Sequence, residues 1–162
     1  MNGSTENRTS GSFERGSGHD SVLTWVTACR MLPLVRQIVD DLMSSRERLA
    51  RLLPEKDRLD RHRRELVWTE RSRRYALQEQ IAEEERNAVQ VSSELDGLGL
   101  VLIDAELGQV GFPTMVNNRK AFFSWRPGEE LVSFWHFVDD AERRAIPTSW
   151  TKTTESRSRS RR

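Results

Sequence analysis

Apolar residues gather near Val22-Leu23, and from there they recur at steps of three and four. Ala28, Met31, Leu32, Val35, Ile38, Val39, Leu42, Leu49, Leu52 and Leu53 form one stripe, broken only at Ser45-Arg46. That spacing predicts a helix with a single buried face. Thr24 is placed to cap a helix opening at Trp25. Pro33 falls inside the stripe and predicts a kink, or a short first helix with Pro33 opening a longer one. Pro54 is expected to end that helix, with Glu55-Lys56-Asp57 as the hairpin connection. A second helix should run from about Leu59 to Leu98. Its stripe is weak at Leu59, Leu66 and Val67, then strong at Leu77, Ile81, Ala88, Val91, Leu95 and Leu98. With no Gly or Pro between Glu55 and Asp96, it would span about 60 Å, longer than the first. Neither helix is stable alone in water; each must lay its stripe on the other or on a second chain.

Gly97 and Gly99 stop the helix, and the apolar period then changes to two. Leu100 to Ile103 and Val110 to Phe112 read as strands around a turn at Glu106-Leu107-Gly108. Ala121 to Arg126 and Leu131 to Phe137 flank Pro127-Gly128-Glu129-Glu130, a hairpin signal. The expected fold class is α+β: a long antiparallel helical hairpin, coiled-coil-like, packed with a three- or four-stranded antiparallel meander.

Composition sharpens the boundaries. Of 162 residues, 31% are charged and 36% hydrophobic, which suits narrow helices that each bury one stripe. Residues 1–20 hold Gly, Ser, Thr, Asn and charge with Phe13 as their one large apolar side chain, and are expected to be a disordered tail. Residues 149–162 end in a Ser-Arg repeat with the same expectation, leaving one domain over 21–148. The chain total of +1 hides a net of −1 at 1–20 and +4 at 150–162, so the folded part is slightly acidic. Cys29 is single, which excludes a disulfide framework and a cysteine metal site. No apolar run reaches the length of a signal peptide or a membrane span. A soluble, cytoplasmic protein without membrane contact is the expectation.

Several ordered motifs resemble a known family. Leu23-Thr24, Ala28 and Leu32-Pro33 are followed by Gly108, Phe112-Pro113, Trp125, Gly128-Glu129 and Trp135-His136. Over roughly residues 22–147 these are similar to an uncharacterised bacterial family, domain of unknown function 2203. Thr27 stands where the family usually has Glu, leaving a Thr-x-x-Glu capping box incomplete. Ser124 stands where a Cys is frequent and Gly111 where an Asp is frequent, so thiol or carboxylate chemistry at those positions is absent. The family has no established activity, and the resemblance implies none.

Candidate chemistry is sparse. There is no nucleophile elbow, phosphate-cradling glycine loop or His-Glu-x-x-His; no catalytic residue, cofactor or metal is expected. If the second hairpin turns at Gly128-Glu129, Trp125 faces Val132, Phe123 faces Phe134 and Ala121 faces His136. That places His136 at the end of the helix-facing side as a structural histidine with one satisfied nitrogen. A metal or small-ligand site built from His136 with Glu129, Asp139 or Asp140 is a distant alternative. The same register sets Phe122 opposite Trp135, with Leu131 and Phe137 beside them, as a candidate interface.

Charge suggests a second kind of contact. Residues 46–64 carry a net of +4, with Arg58, Arg61, Arg63 and Arg64 nearest the hairpin turn. With Arg157, Arg159, Arg161 and Arg162 of the tail, these are candidate anion or nucleic-acid contacts. The leading expectation is a non-enzymatic structural or interaction protein with a homodimeric or other protein partner. A nucleic-acid-binding accessory protein is the alternative.

Overall fold

The computed structural model describes residues 22–152. The expected tail at 1–20 and the arginines at 157, 159, 161 and 162 lie outside the described residues. Helix α1 spans Trp25–Arg61 and α2 spans Trp68–Gly97. The sheet contains β1 (Val101–Asp104), β2 (Gln109–Val116), β3 (Arg119–Trp125), β4 (Phe134–Phe137) and β5 (Arg144–Ala145), and a short helix, α3, covers Thr148–Thr151. All neighbouring strands are antiparallel, in the order β1-β2-β3-β4-β5. This is the α+β hairpin-and-meander class, with five strands instead of three or four. No described helix is long and apolar enough to cross a membrane.

Thr24 caps α1 as expected, its hydroxyl accepting from Thr27 N at 3.2 Å. Where a glutamate would complete the capping box, the Thr27 hydroxyl bonds the Thr24 hydroxyl instead, at 2.9 Å. Two expectations about α1 fail. The helix neither restarts at Pro33 nor ends at Pro54, and the hairpin connection lies at 62–67, not at Glu55-Lys56-Asp57. α1 is therefore the longer helix, at 37 residues against 30. The reason lies downstream of Pro54. Arg73 of α2 holds Glu55 through two bonds of 2.8 Å, and Asp60 takes Lys56 and Arg74. Leu59 is buried against Leu66 and Leu77. Interhelical contacts thus carry the helix past a residue that costs up to about 3 kcal/mol inside one. Pro54 and Ala50, whose carbonyl it leaves without a helical donor, are both exposed, so water can serve that carbonyl.

At its far end α2 stops in a Schellman turn. Gly99 takes φ +74°, Leu100 N donates to Leu95 O and Gly99 N to Asp96 O, both at 2.9 Å. Leu95 and Leu100 both join the main core. That core lies at the sheet end, where Ala28, Leu32, Val35, Val39, Leu42, Val91 and Leu95 meet Val110, Phe112, Phe123 and Trp125. The second cluster, Leu59, Leu66 and Leu77, closes the other end of the hairpin.

The strand expected to stop at Phe112 continues through Pro113 to Val116 and returns at Asn117-Asn118. Both asparagines have positive φ, 50° and 60°, the backbone of a two-residue I′ hairpin. Pro113 is tolerated because β1 pairs no further along β2 than Gly111. Beyond it the open edge takes Leu23, whose N–H donates to Pro113 O at 2.8 Å.

The β3–β4 register is one residue away from the expected one. Phe122 pairs with His136, Phe123 with Trp135, Ser124 with Phe134 and Ala121 with Phe137. A slip of one residue turns every side chain of a strand to the other face. The cause is the 126–133 connection, which is a pinned loop and not a tight turn. Trp125 Nε1 donates to Glu129 O at 2.9 Å, Arg126 N to the Glu129 carboxylate at 2.9 Å, and Trp25 Nε1 to Val132 O at 2.8 Å. Arg36 of α1 donates to the carbonyls of Glu129 and Glu130. The tail boundary at Ser149 also moves: Trp150 of α3 packs on Trp135 and Phe123, at ring distances of 5.3 and 6.4 Å.

Candidate functional sites

The register separates the four residues of the expected aromatic patch. Trp135 and Phe137 lie on the helix-facing side of β4, their rings edge to face at 5.0 Å. Trp135 packs against the main core, and Phe137 lies under the Arg119 guanidinium at 3.9 Å. Phe122 is on the outer face, 5.8 Å from His136. Leu131 is exposed in the connecting loop. Correspondingly, His136 sits on the outer face opposite Phe122 and not on the helix-facing side opposite Ala121. It is buried, with Nδ1 2.8 Å from Phe137 O and Nε2 without a partner.

Glu129 is committed elsewhere. Its carboxylate takes both terminal nitrogens of Arg143, at 2.7 and 2.9 Å, as well as Arg126 N. Arg143 reaches Ser124 through Nε and lies 4.4 Å above the Phe134 ring. Buried Gln109 joins Ser124 Oγ to Arg126. This network fastens β2, β3, the 126–133 loop and the segment before β5. Among the described residues, no three His, Cys, Asp or Glu side chains come together as they would to hold a metal. At Gly111 a β-carbon would lie 2.7 Å from Ile103 Cδ1 and 2.9 Å from the Phe122 ring, so neighbours fill the place a carboxylate would need. Cys29 is half-buried, and that burial raises its thiol pKa against a smaller opposing bond from the Val132 backbone. A raised pKa makes the thiol less reactive.

Along the hairpin, basic side chains meet acidic ones. Arg48 holds Glu84, Arg73 holds Glu55, and Lys56 and Arg74 share Asp60. These partners depress the carboxyl pKa values, through hydrogen bonds from Arg48 on Glu84, Arg73 on Glu55, and Lys56 then Arg74 on Asp60. At the tip the pairing stops. Among the described residues Arg61, Arg63 and Arg64 make no ion pair or hydrogen bond through their side chains, and Arg58 acts on Glu55 only through its field. With Asp60, His62 and Glu65, the three arginines line an open concavity of about 590 Å³.

A third feature was not anticipated from the sequence. Trp68, Tyr75 and Val89 are 73%, 63% and 70% exposed, and with half-buried Ala82 they recur every seven residues along α2. Seven residues return to the same helix face within about 20°. Trp68 stands two and a half turns from buried Leu77, on the side away from α1. The seven-residue spacing was present in the sequence. It was masked by the denser three-and-four stripe that packs on α1.

A long helical hairpin packed with a five-stranded antiparallel sheet defines an α+β protein. Over residues 22–146 the chain matches the family model described as an uncharacterized conserved protein, DUF2203. The chain belongs to that family, as its motifs suggested. No curated protein and no solved structure matches it.

Proposed function

We propose that this protein is a non-enzymatic interaction module that pairs with a second copy of itself along the outer face of α2. The observation that carries this reading is the row Trp68, Tyr75, Ala82, Val89. Laid antiparallel on its own copy, the row sets Trp68 against the partner's Val89 and Tyr75 against the partner's Ala82. Large side chains then meet small ones at all four positions, as a well-filled contact between helices requires. The flanks agree on one side, where Arg71 would face the partner's Glu85 twice over and Gln78 would meet the partner's Gln78. On the other flank, Glu79 would meet the partner's Glu79, a repulsion worth a few tenths of a kcal/mol. The contact would bury on the order of 800 Å² in total, below a standard interface. A weak, concentration-dependent dimer follows.

Light scattering over a rising concentration series tests this. The mass should climb from monomer to dimer, and Tyr75→Glu should hold it at monomer with unchanged circular dichroism. Glu79→Gln should tighten the dimer about twofold. A monomer at every concentration, or a dimer indifferent to Tyr75→Glu, contradicts the proposal.

A further inference from the structure

We infer that the hairpin tip is a binding site for the phosphodiester backbone of nucleic acid, independent of base sequence. This goes beyond self-association and uses different side chains. Apolar packing and a backbone cap hold the turn. Leu66 is buried against Leu59 and Leu77, and Glu70 accepts from Val67 N at 3.2 Å to begin α2. The turn is therefore shaped without Arg61, Arg63 or Arg64. All three are exposed and lack a carboxylate partner, whereas Arg48, Arg51, Arg73 and Arg74 of the helices each have one. Among the described residues Arg30, Arg71 and Arg86 are unpaired too but stand singly; only at the tip do unpaired arginines share one concavity. A cation already engaged by a carboxylate must break that pair to take a phosphate; a cation held in water need not.

The tip also has a geometry suited to a chain of charges. Arg58 and Arg61 leave the last turn of α1, and Arg63 and Arg64 follow in the connection; Arg61, Arg63 and Arg64 line one concavity, with Arg58 one turn away along α1. Guanidinium groups bind phosphate oxygens in a fork. The local carboxylates cancel them only in part. Asp60 is occupied by Lys56 and Arg74, leaving Asp57, Glu65 and Glu70 as the opposing charges. Contacts to phosphate carry no sequence information, so recognition through them is electrostatic. An anionic membrane is the other polyanion to consider. Val67 and Trp68 are exposed beside the arginines, but two apolar side chains bury little in a bilayer against four cations suited to phosphate. The vesicle arm of the test separates the two polyanions.

The test uses the full chain, basic tail included, with a short labelled DNA duplex of arbitrary sequence, followed by fluorescence anisotropy at several salt concentrations. With three or four phosphates engaged, affinity should fall about 40- to 150-fold between 50 and 200 mM salt. Replacing Arg61, Arg63 and Arg64 together by Gln should remove most of that slope and leave the thermal unfolding curve in place. A scrambled duplex should bind equally well. Retention of the full slope by the triple variant would assign binding to the tail and overturn the inference. So would binding to anionic phospholipid vesicles but not to DNA, or no binding at low salt.

Discussion

The two ends of this molecule treat charge in opposite ways. At the sheet end, Glu129 and Arg143 are both largely buried and their polar groups are engaged by each other, by Arg126 N and by Ser124. At the tip, Arg61, Arg63 and Arg64 stand in water and Leu66 holds the turn. Charge at the sheet end fixes the path of the backbone, and charge at the tip leaves the backbone unaffected. The same division applies to aromatic side chains. Trp125, Trp135 and Trp150 join or pack on the core, while Trp68 and Tyr75 face solvent. The exposed aromatic rings therefore lie on the hairpin, although the aromatic density of the sequence is highest in the sheet.

Substitutions at the two ends should separate accordingly. The largest effect is expected for Glu129→Ala, which leaves the Arg143 guanidinium largely buried without its partner and unpins the 126–133 loop. It should destabilise the fold by about 3 kcal/mol in urea denaturation. A loss below about 1 kcal/mol would show that the network is dispensable and would weaken the contrast. Pro54→Ala comes next and with opposite sign. It restores a helical donor to the Ala50 carbonyl and should raise stability by about 1 kcal/mol; a loss would mean that Pro54 rigidifies the hairpin usefully. Acid should act on the hairpin and not on the tip. Glu55, Asp60 and Glu84 have depressed pKa values, so their contribution is present above the ordinary carboxylate range and is lost as pH falls through and below it. Protection factors on α1 and α2, corrected for the intrinsic slowing of exchange in acid, should therefore fall below about pH 4, with the 62–67 connection changing least.

Much of the fold was legible because periodicity reports burial. The stripe from Ala28 to Leu42 and the change to period two after Gly99 located the helices, the sheet and the α+β class. Pro54 misled because proline reports local cost, whereas helix continuation there is decided by Arg73 and Arg74 on another helix. The β3–β4 register was hidden for a related reason. Pro127-Gly128 reads as a tight turn, but side chains as distant as Trp25 and Arg36 set the length of the loop, and one residue of difference exchanged the faces of His136 and Trp135. The tip arginines were visible as a run of charge. Which of them lacked carboxylate partners depended on where α1 ended.

Self-association stands or falls on how α2 meets its copy, and cross-linking reads that directly. In a Cys29→Ser background, chains carrying Trp68→Cys are mixed with chains carrying Val89→Cys and oxidised gently. An antiparallel pairing predicts a disulfide between the two kinds of chain and little within either kind. Homodimers of each kind with no mixed species would show a parallel pairing and contradict it, as would an absence of any cross-link at concentrations where light scattering reports a dimer.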